Sequence, residues 1–119
     1  MSTPTDFMAD ALGMWTETDD ERRLALVRKR FAEDIRFHDA DGDFTGHAGL
    51  EQFSASLRAR FPTARFELVS PPQTVGSAFL AAWRFGPPEQ PGVVTGSDFV
   101  LWDGERASEL YAFVRRPEA

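Results

Sequence analysis

Cysteine is absent from the 119 residues. That excludes a disulfide framework, a thiolate metal site and a cysteine nucleophile, and it agrees with a reducing cytoplasm. Histidine occurs only as His38 and His47, without HExxH or comparable spacing, so no metal site is expected. There is no glycine-rich phosphate loop and no serine in a G-x-S-x-G context, which disfavours a serine hydrolase. Basic runs go no further than Arg28-Lys29-Arg30 and the net charge is −6, so no nucleic-acid partner is expected. The longest stretch without charge, Leu68 to Trp83, is interrupted by Pro71 and Pro72 and is too broken to span a bilayer. The first residues, Met1-Ser2-Thr3-Pro4-Thr5-Asp6, lack a basic n-region and an apolar h-region, so no signal peptide is expected. These absences point to a soluble, cytoplasmic domain that requires no cofactor and has no membrane partner.

What is present is apolar and aromatic. Hydrophobic residues make up 42%, with eleven Phe and three Trp, which suits one compact domain with a real core over residues 1–119. Phe7, Met8, Ala11, Leu12 and Trp15 recur at helical spacing after Pro4. Thr18 and Glu21 form a capping-box pattern that opens a second helix through Leu24, Val27 and Phe31. A short strand over Ile35–Asp39 then meets an Asp41-Gly42 turn signal. Gly46 leads into a third helix with Leu50, Phe53, Leu57 and Phe61 on one stripe, stopped by Pro62. Strands are expected over about 65–70, 75–86, 93–103 and 106–115, with proline and glycine at their connections.

The order is therefore α+β: three helices packed in the concave face of one curved antiparallel sheet, a cone-shaped barrel. Between 75 and 115 the strands are apolar on both faces, so the sheet needs a cover on each. Helices cover one, and a second copy of the chain is the expected cover for the other, giving a homodimer through the sheet.

Two aspartates break the apolar pattern. Alternation puts Asp39 on one face with Ile35 and Phe37, and Asp98 on one face with Val94, Val100 and Trp102. A carboxylate on the core side of a strand is costly unless paired, hydrogen-bonded or neutralised, so a polar-tipped cavity is expected. The alternatives are that Asp39 bonds local amides at the Ala40-Asp41-Gly42 turn, and that Asp98 pairs with Arg84 or another base. Trp15, Phe37, Phe53, Phe61, Trp83, Val100 and Tyr111 are the expected ligand-contacting residues, with core filling as the rival role of the aromatics. Trp15 and Trp83 stand out because a buried indole N–H needs a partner. Asp39, Asp41 and Asp43 have the look of a calcium loop, but the glycine is misplaced and the twelfth position from Asp39 is Leu50.

The chain resembles the SnoaL-like branch of the NTF2-like superfamily over nearly its full length. The resemblance rests on Trp15-Thr16-Glu17-Thr18-Asp19, on Phe31-Ala32-Glu33-Asp34-Ile35-Arg36-Phe37-His38-Asp39, and on Gly46-His47-Ala48-Gly49-Leu50. Thr95-Gly96-Ser97-Asp98-Phe99 and Gly104-Glu105-Arg106 complete it. By similarity to the ketosteroid isomerases of that group, it implies Asp39 as general base and Asp98 as a hydrogen-bond donor to a developing enolate. The enolate-binding tyrosine of those enzymes falls at Ala11, so one donor is missing. Cyclase members pair an aspartate with a neighbouring histidine, for which His38 and His47 are poorly placed. The resemblance thus implies a small apolar ligand carrying a carbonyl or hydroxyl, handled by an isomerase or cyclase, or else held by a non-catalytic binding or dimeric interaction module.

Overall fold

Thr3 caps helix α1 (Pro4–Thr16) through a reciprocal box, its hydroxyl accepting from the Asp6 amide while the Asp6 carboxylate accepts from the Thr3 amide. The structure, a computed structural model, describes residues 2–115; residues 1 and 116–119 of the domain expected over 1–119 lie outside the described part. The apolar stripe read from the sequence is the buried face of α1: Phe7, Met8, Ala11, Leu12 and Trp15 are all enclosed.

Helix α2 (Asp20–Arg30) corrects two expectations. Its cap is Asp19, which accepts from the Arg22 amide at 3.0 Å, rather than Thr18. Its inward stripe is Arg23, Val27 and Arg30, while Leu24 is only half-buried and Phe31 already belongs to strand β1 (Phe31–Asp39). The two arginines are buried because their guanidinium groups are hydrogen-bonded on several sides. Arg23 donates to Glu51, Asp20 and the Glu17 carbonyl, and Arg30 donates to Asp10 and the Glu105 carbonyl. Buried guanidinium groups need such partners.

Ala40 and Asp41 form the two-residue turn into β2 (Gly42–Thr45), with Gly42 at a positive φ of 145°. Helix α3 (Gly46–Arg60) follows, then β3 (Arg65–Leu68), β4 (Gln73–Val75), β5 (Ala78–Gly86), β6 (Val94–Trp102) and β7 (Ala107–Arg115). Of the strand expected over 75–86, residues 78–86 form β5, and its start is instead the turn of a hairpin with β4, where Gly76 has a φ of 58°.

All seven strands form one curved sheet in the order β2-β1-β7-β6-β5-β3, with β4 paired to β5. The sheet is mixed: β1 and β7 run parallel and every other pairing is antiparallel. Pairing direction between strands about 70 residues apart leaves no mark on the alternation of either strand, which is why the sequence suggested antiparallel strands throughout. The three helices cover the inner face. At one end Phe7 makes edge contacts with Phe31, Phe79 and Trp102 at 5.5–5.6 Å, and this end is solid. At the other end the packing opens.

Candidate active site

Antiparallel pairing puts Asp98 of β6 between Ala81 of β5 and Ala112 of β7. Continuing the His38–Tyr111 register by one residue brings Asp39 of β1 beside the same Ala112. The two aspartates thus share one inward-facing row, two strands apart, roughly 10 Å between backbones. Ala112 stands between them, and the space its small side chain leaves is part of a cavity.

That cavity lies between sheet and helices and comprises about 630 Å³ including its open mouth. Its walls are Trp15, Phe37, Phe53, Trp83 and Phe85, with both Asp39 and Asp98 in the lining. Phe61, Arg60 and Asp41 stand at the rim, where the Arg60 guanidinium lies 3.7 Å from the Asp41 carboxylate. An apolar lining with a few convergent polar groups is the usual make-up of a small-molecule site.

Asp98 is only 3% exposed. Its Oδ1 accepts from the Trp83 indole N–H at 2.9 Å, and Arg84, the rival partner, is instead paired with Glu67. Burial pushes the Asp98 carboxyl up to about 7, and the charge of Asp39 adds to the shift while the indole bond opposes it. With Oδ1 taken as an acceptor, the proton of the neutral acid belongs on Oδ2. Asp39 is half-buried, and its Oδ2 accepts from the Asp41 amide at 3.0 Å, so the local turn bond and the cavity position coexist.

Gly96 makes the indole placement possible. It is the cross-strand partner of Trp83, and a Cβ there would lie 2.5 Å from Trp83 Cζ2 and against the Phe113 carbonyl oxygen. Gly96→Ala therefore drives the indole off its floor. The expected result is a loss of about 1–3 kcal/mol in denaturant stability, as for other overpacked cores. A further rise of the Asp98 pKa should accompany it, read by carboxyl-carbon NMR, because the anion loses its donor.

Five of the seven expected ligand contacts, Trp15, Phe37, Phe53, Phe61 and Trp83, border the cavity. Val100 and Tyr111 do not. Val100 faces inward but is sealed in the solid end beside its partner Phe79. Tyr111 faces outward, donating to Glu109 at 2.8 Å and stacking on His38 at 4.4 Å. His38 is itself held between Asp43 and Glu109, which raise its pKa. His47 bonds the Phe31 carbonyl. Leu12, Arg60, Phe66, Phe85 and Val94 line the cavity and escaped the sequence reading. Phe85 was within reach, since it sits two residues from Trp83 and shares its face. Among the described residues no three His, Asp or Glu side chains are grouped to hold a metal ion, and no helix is long and apolar enough to cross a membrane.

The SnoaL-like domain family matches residues 12–110. A candidate isomerase of the SnoaL-like family from Agrobacterium tumefaciens is 29% identical, with a TM-score of 0.84 over 93% of this chain and 96% of that one. A candidate polyketide cyclase from Sinorhizobium meliloti is 13% identical, with a TM-score of 0.71 over 90% and 93% of the two chains. A protein of ketosteroid-isomerase-like fold from Catenulispora acidiphila, in complex with trimethylamine, is 17% identical, with a TM-score of 0.73 over 94% and 86%. The last two likenesses concern the fold alone. Comparison with curated proteins gives no match.

Proposed function

The chain belongs to the SnoaL-like domain family, and from that premise we propose that it is an isomerase- or cyclase-type enzyme acting on a small, largely apolar carbonyl compound. The observation that carries this reading is one cavity lined by two inward carboxyl groups, one of them, Asp98, buried and bonded among the described residues through Oδ1. Ionised Asp39 takes a proton from the carbon next to the substrate carbonyl. The C–H electron pair moves into the new C=C bond, and negative charge gathers on oxygen, where the Asp98 Oδ2–H donates to it. Asp39, now a carboxylic acid, returns the proton to the same carbon or to another, and only the second outcome rearranges the molecule.

The test is deuterium uptake at the α-carbon of small cyclic ketones in D2O, followed by NMR. Uptake above the buffer rate supports the enzyme. Binding without uptake favours a second reading, a non-catalytic carrier. Aromatic walls beside carboxylates also suit a small ammonium ion through cation–π attraction, and the Catenulispora relative is a complex with trimethylamine. Saturable trimethylammonium binding without ketone exchange would select that reading.

The outer sheet face supports a homodimer. Leu80, Phe99 and Phe113 are exposed there, Phe113 by 63%, and Phe113 stands between two shallow hollows that border it on either side. A projecting ring beside hollows is self-complementary under two-fold symmetry. Phe113→Glu is expected to convert a dimer to a monomer in sedimentation velocity; a wild type that is monomeric at 100 µM, roughly the upper end of useful affinity, excludes this interface.

A further inference from the structure

Three indoles are present, and two of them border the cavity: Trp83 and Trp15. Trp83 spends its N–H on Asp98. Trp15 is 3% exposed, and no described residue accepts a hydrogen bond from its Nε1–H. A buried donor left without a partner costs on the order of 1–3 kcal/mol. Yet among the described residues no fully enclosed side-chain nitrogen or oxygen lacks one. The Trp15 N–H therefore keeps open space in front of it, and the space that Trp15 borders is the cavity.

The ring is held rather than loose. Phe37 and Phe53 pack on it at centroid distances of 5.0 and 5.3 Å. The Trp15 carbonyl accepts from Ser54 Oγ at 2.8 Å, which locks the end of α1 to α3. Trp15 also lies one helical turn beyond Ala11, on the same buried face of α1. A fixed indole with an open N–H, in a cavity whose other deep polar groups are the Asp39 and Asp98 carboxyls, is a donor reserved for a ligand atom.

We propose that the Trp15 indole N–H is a second hydrogen-bond donor to the ligand oxygen, reaching it from the helical wall while Asp98 reaches it from the sheet. This rests on the reading of the cavity as a site for carbonyl compounds. It narrows the ligand to one whose oxygen accepts two bonds, a ketone or its enolate, and disfavours an ammonium head, which has no lone pair to offer the indole.

The test uses cyclohexanone and methylenecyclohexane, which share a shape and differ in C=O against C=CH2. Indole signals in a proton–nitrogen correlation spectrum of the full chain are followed through each titration, with Trp15→Phe assigning the Trp15 signal. The expected result is a downfield move of the Trp15 N–H with the ketone and none with the hydrocarbon. Trp15→Phe should weaken the ketone by roughly three- to tenfold, the worth of one neutral hydrogen bond, and change the hydrocarbon by less than twofold. A Trp15 signal that stays still up to the solubility of the ketone overturns the assignment, as does equal weakening of both ligands. The underlying enzyme reading fails separately: an N–H shift without deuterium uptake removes catalysis and keeps the donor.

Discussion

Asp39→Asn is expected to lower α-carbon deuterium exchange by roughly 10²- to 10⁴-fold, the usual worth of a positioned general base, with ketone affinity changed by less than about threefold. Asparagine is the informative replacement because its amide oxygen can still accept from the Asp41 N–H, the bond that shapes the β1–β2 turn. The turn survives, and the change removes the proton acceptor together with the negative charge that helps raise the Asp98 pKa. Exchange by NMR and affinity by calorimetry together decide the matter. Loss of exchange with retained affinity supports the role of Asp39 as base. Retained exchange assigns the proton transfer to some other group, and equal loss of both marks Asp39 as a structural residue.

Asp98→Asn should make the protein more stable at alkaline pH while impairing it as a catalyst. The Asp98 carboxyl moves from 3.8 to about 7 on folding, chiefly through burial. Below pH 4 folded and unfolded chains both hold the proton, and the group costs nothing. Between about 4 and 7 only the folded chain holds it, so stability falls as pH rises, by about 1.4 kcal/mol per pH unit. Above 7 both states are ionised and the whole penalty, roughly 4 kcal/mol, is present. Asparagine never ionises, and its amide oxygen can take over the Trp83 bond. Urea unfolding at pH 8 should show the variant more stable by roughly 2–4 kcal/mol, with the gap closing near pH 4. A gap that is independent of pH would mean that Asp98 titrates normally. Exchange by the wild type should also decline as pH rises through about 7, because ionised Asp98 no longer donates to the developing oxyanion. Stability given up at a functional carboxyl is a common bargain in active sites.

The inward direction of Asp39 and Asp98 was legible because a strand has period two, and Ile35, Phe37, Val100 and Trp102 mark the core face beside them. The stripes of α1 and α3 were legible for the same kind of reason, with period 3.6. Helix α2 was legible only at Val27. Its other buried positions are Arg23 and Arg30, and what makes them burial-competent, Glu51 and Asp10, lies 28 and 20 residues away. Hydrophobic pattern records apolar partners, and ion pairs between distant segments leave no such trace.

Face and depth also differ in kind. Val94 and Val100 point inward by the same parity as Asp98, yet Val94 borders the cavity and Val100 is sealed in the closed end. Alternation decides which side of the sheet a residue takes; only curvature and the position of α1 decide how far along the cone it lies. Tyr111 lies outward beside the fully buried Leu110, yet it has the same parity as the buried Ala107; a register shift between Ala107 and Glu109 breaks the alternation there, and no local pattern announced it.

By itself, then, the sequence determined the element order apart from β4, the stripes of α1 and α3, the two carboxylates turned to the core and the family to which the chain belongs. These are properties of local periodicity and short motifs, set by backbone geometry within a few residues. The tertiary structure decided the parallel pairing of β1 with β7, the meeting of Asp39 and Asp98 across Ala112, the indole bond to Asp98 over Gly96, and the open N–H of Trp15. Each depends on contacts between segments far apart in the chain, where distance and direction, and not residue type, determine what a group can do.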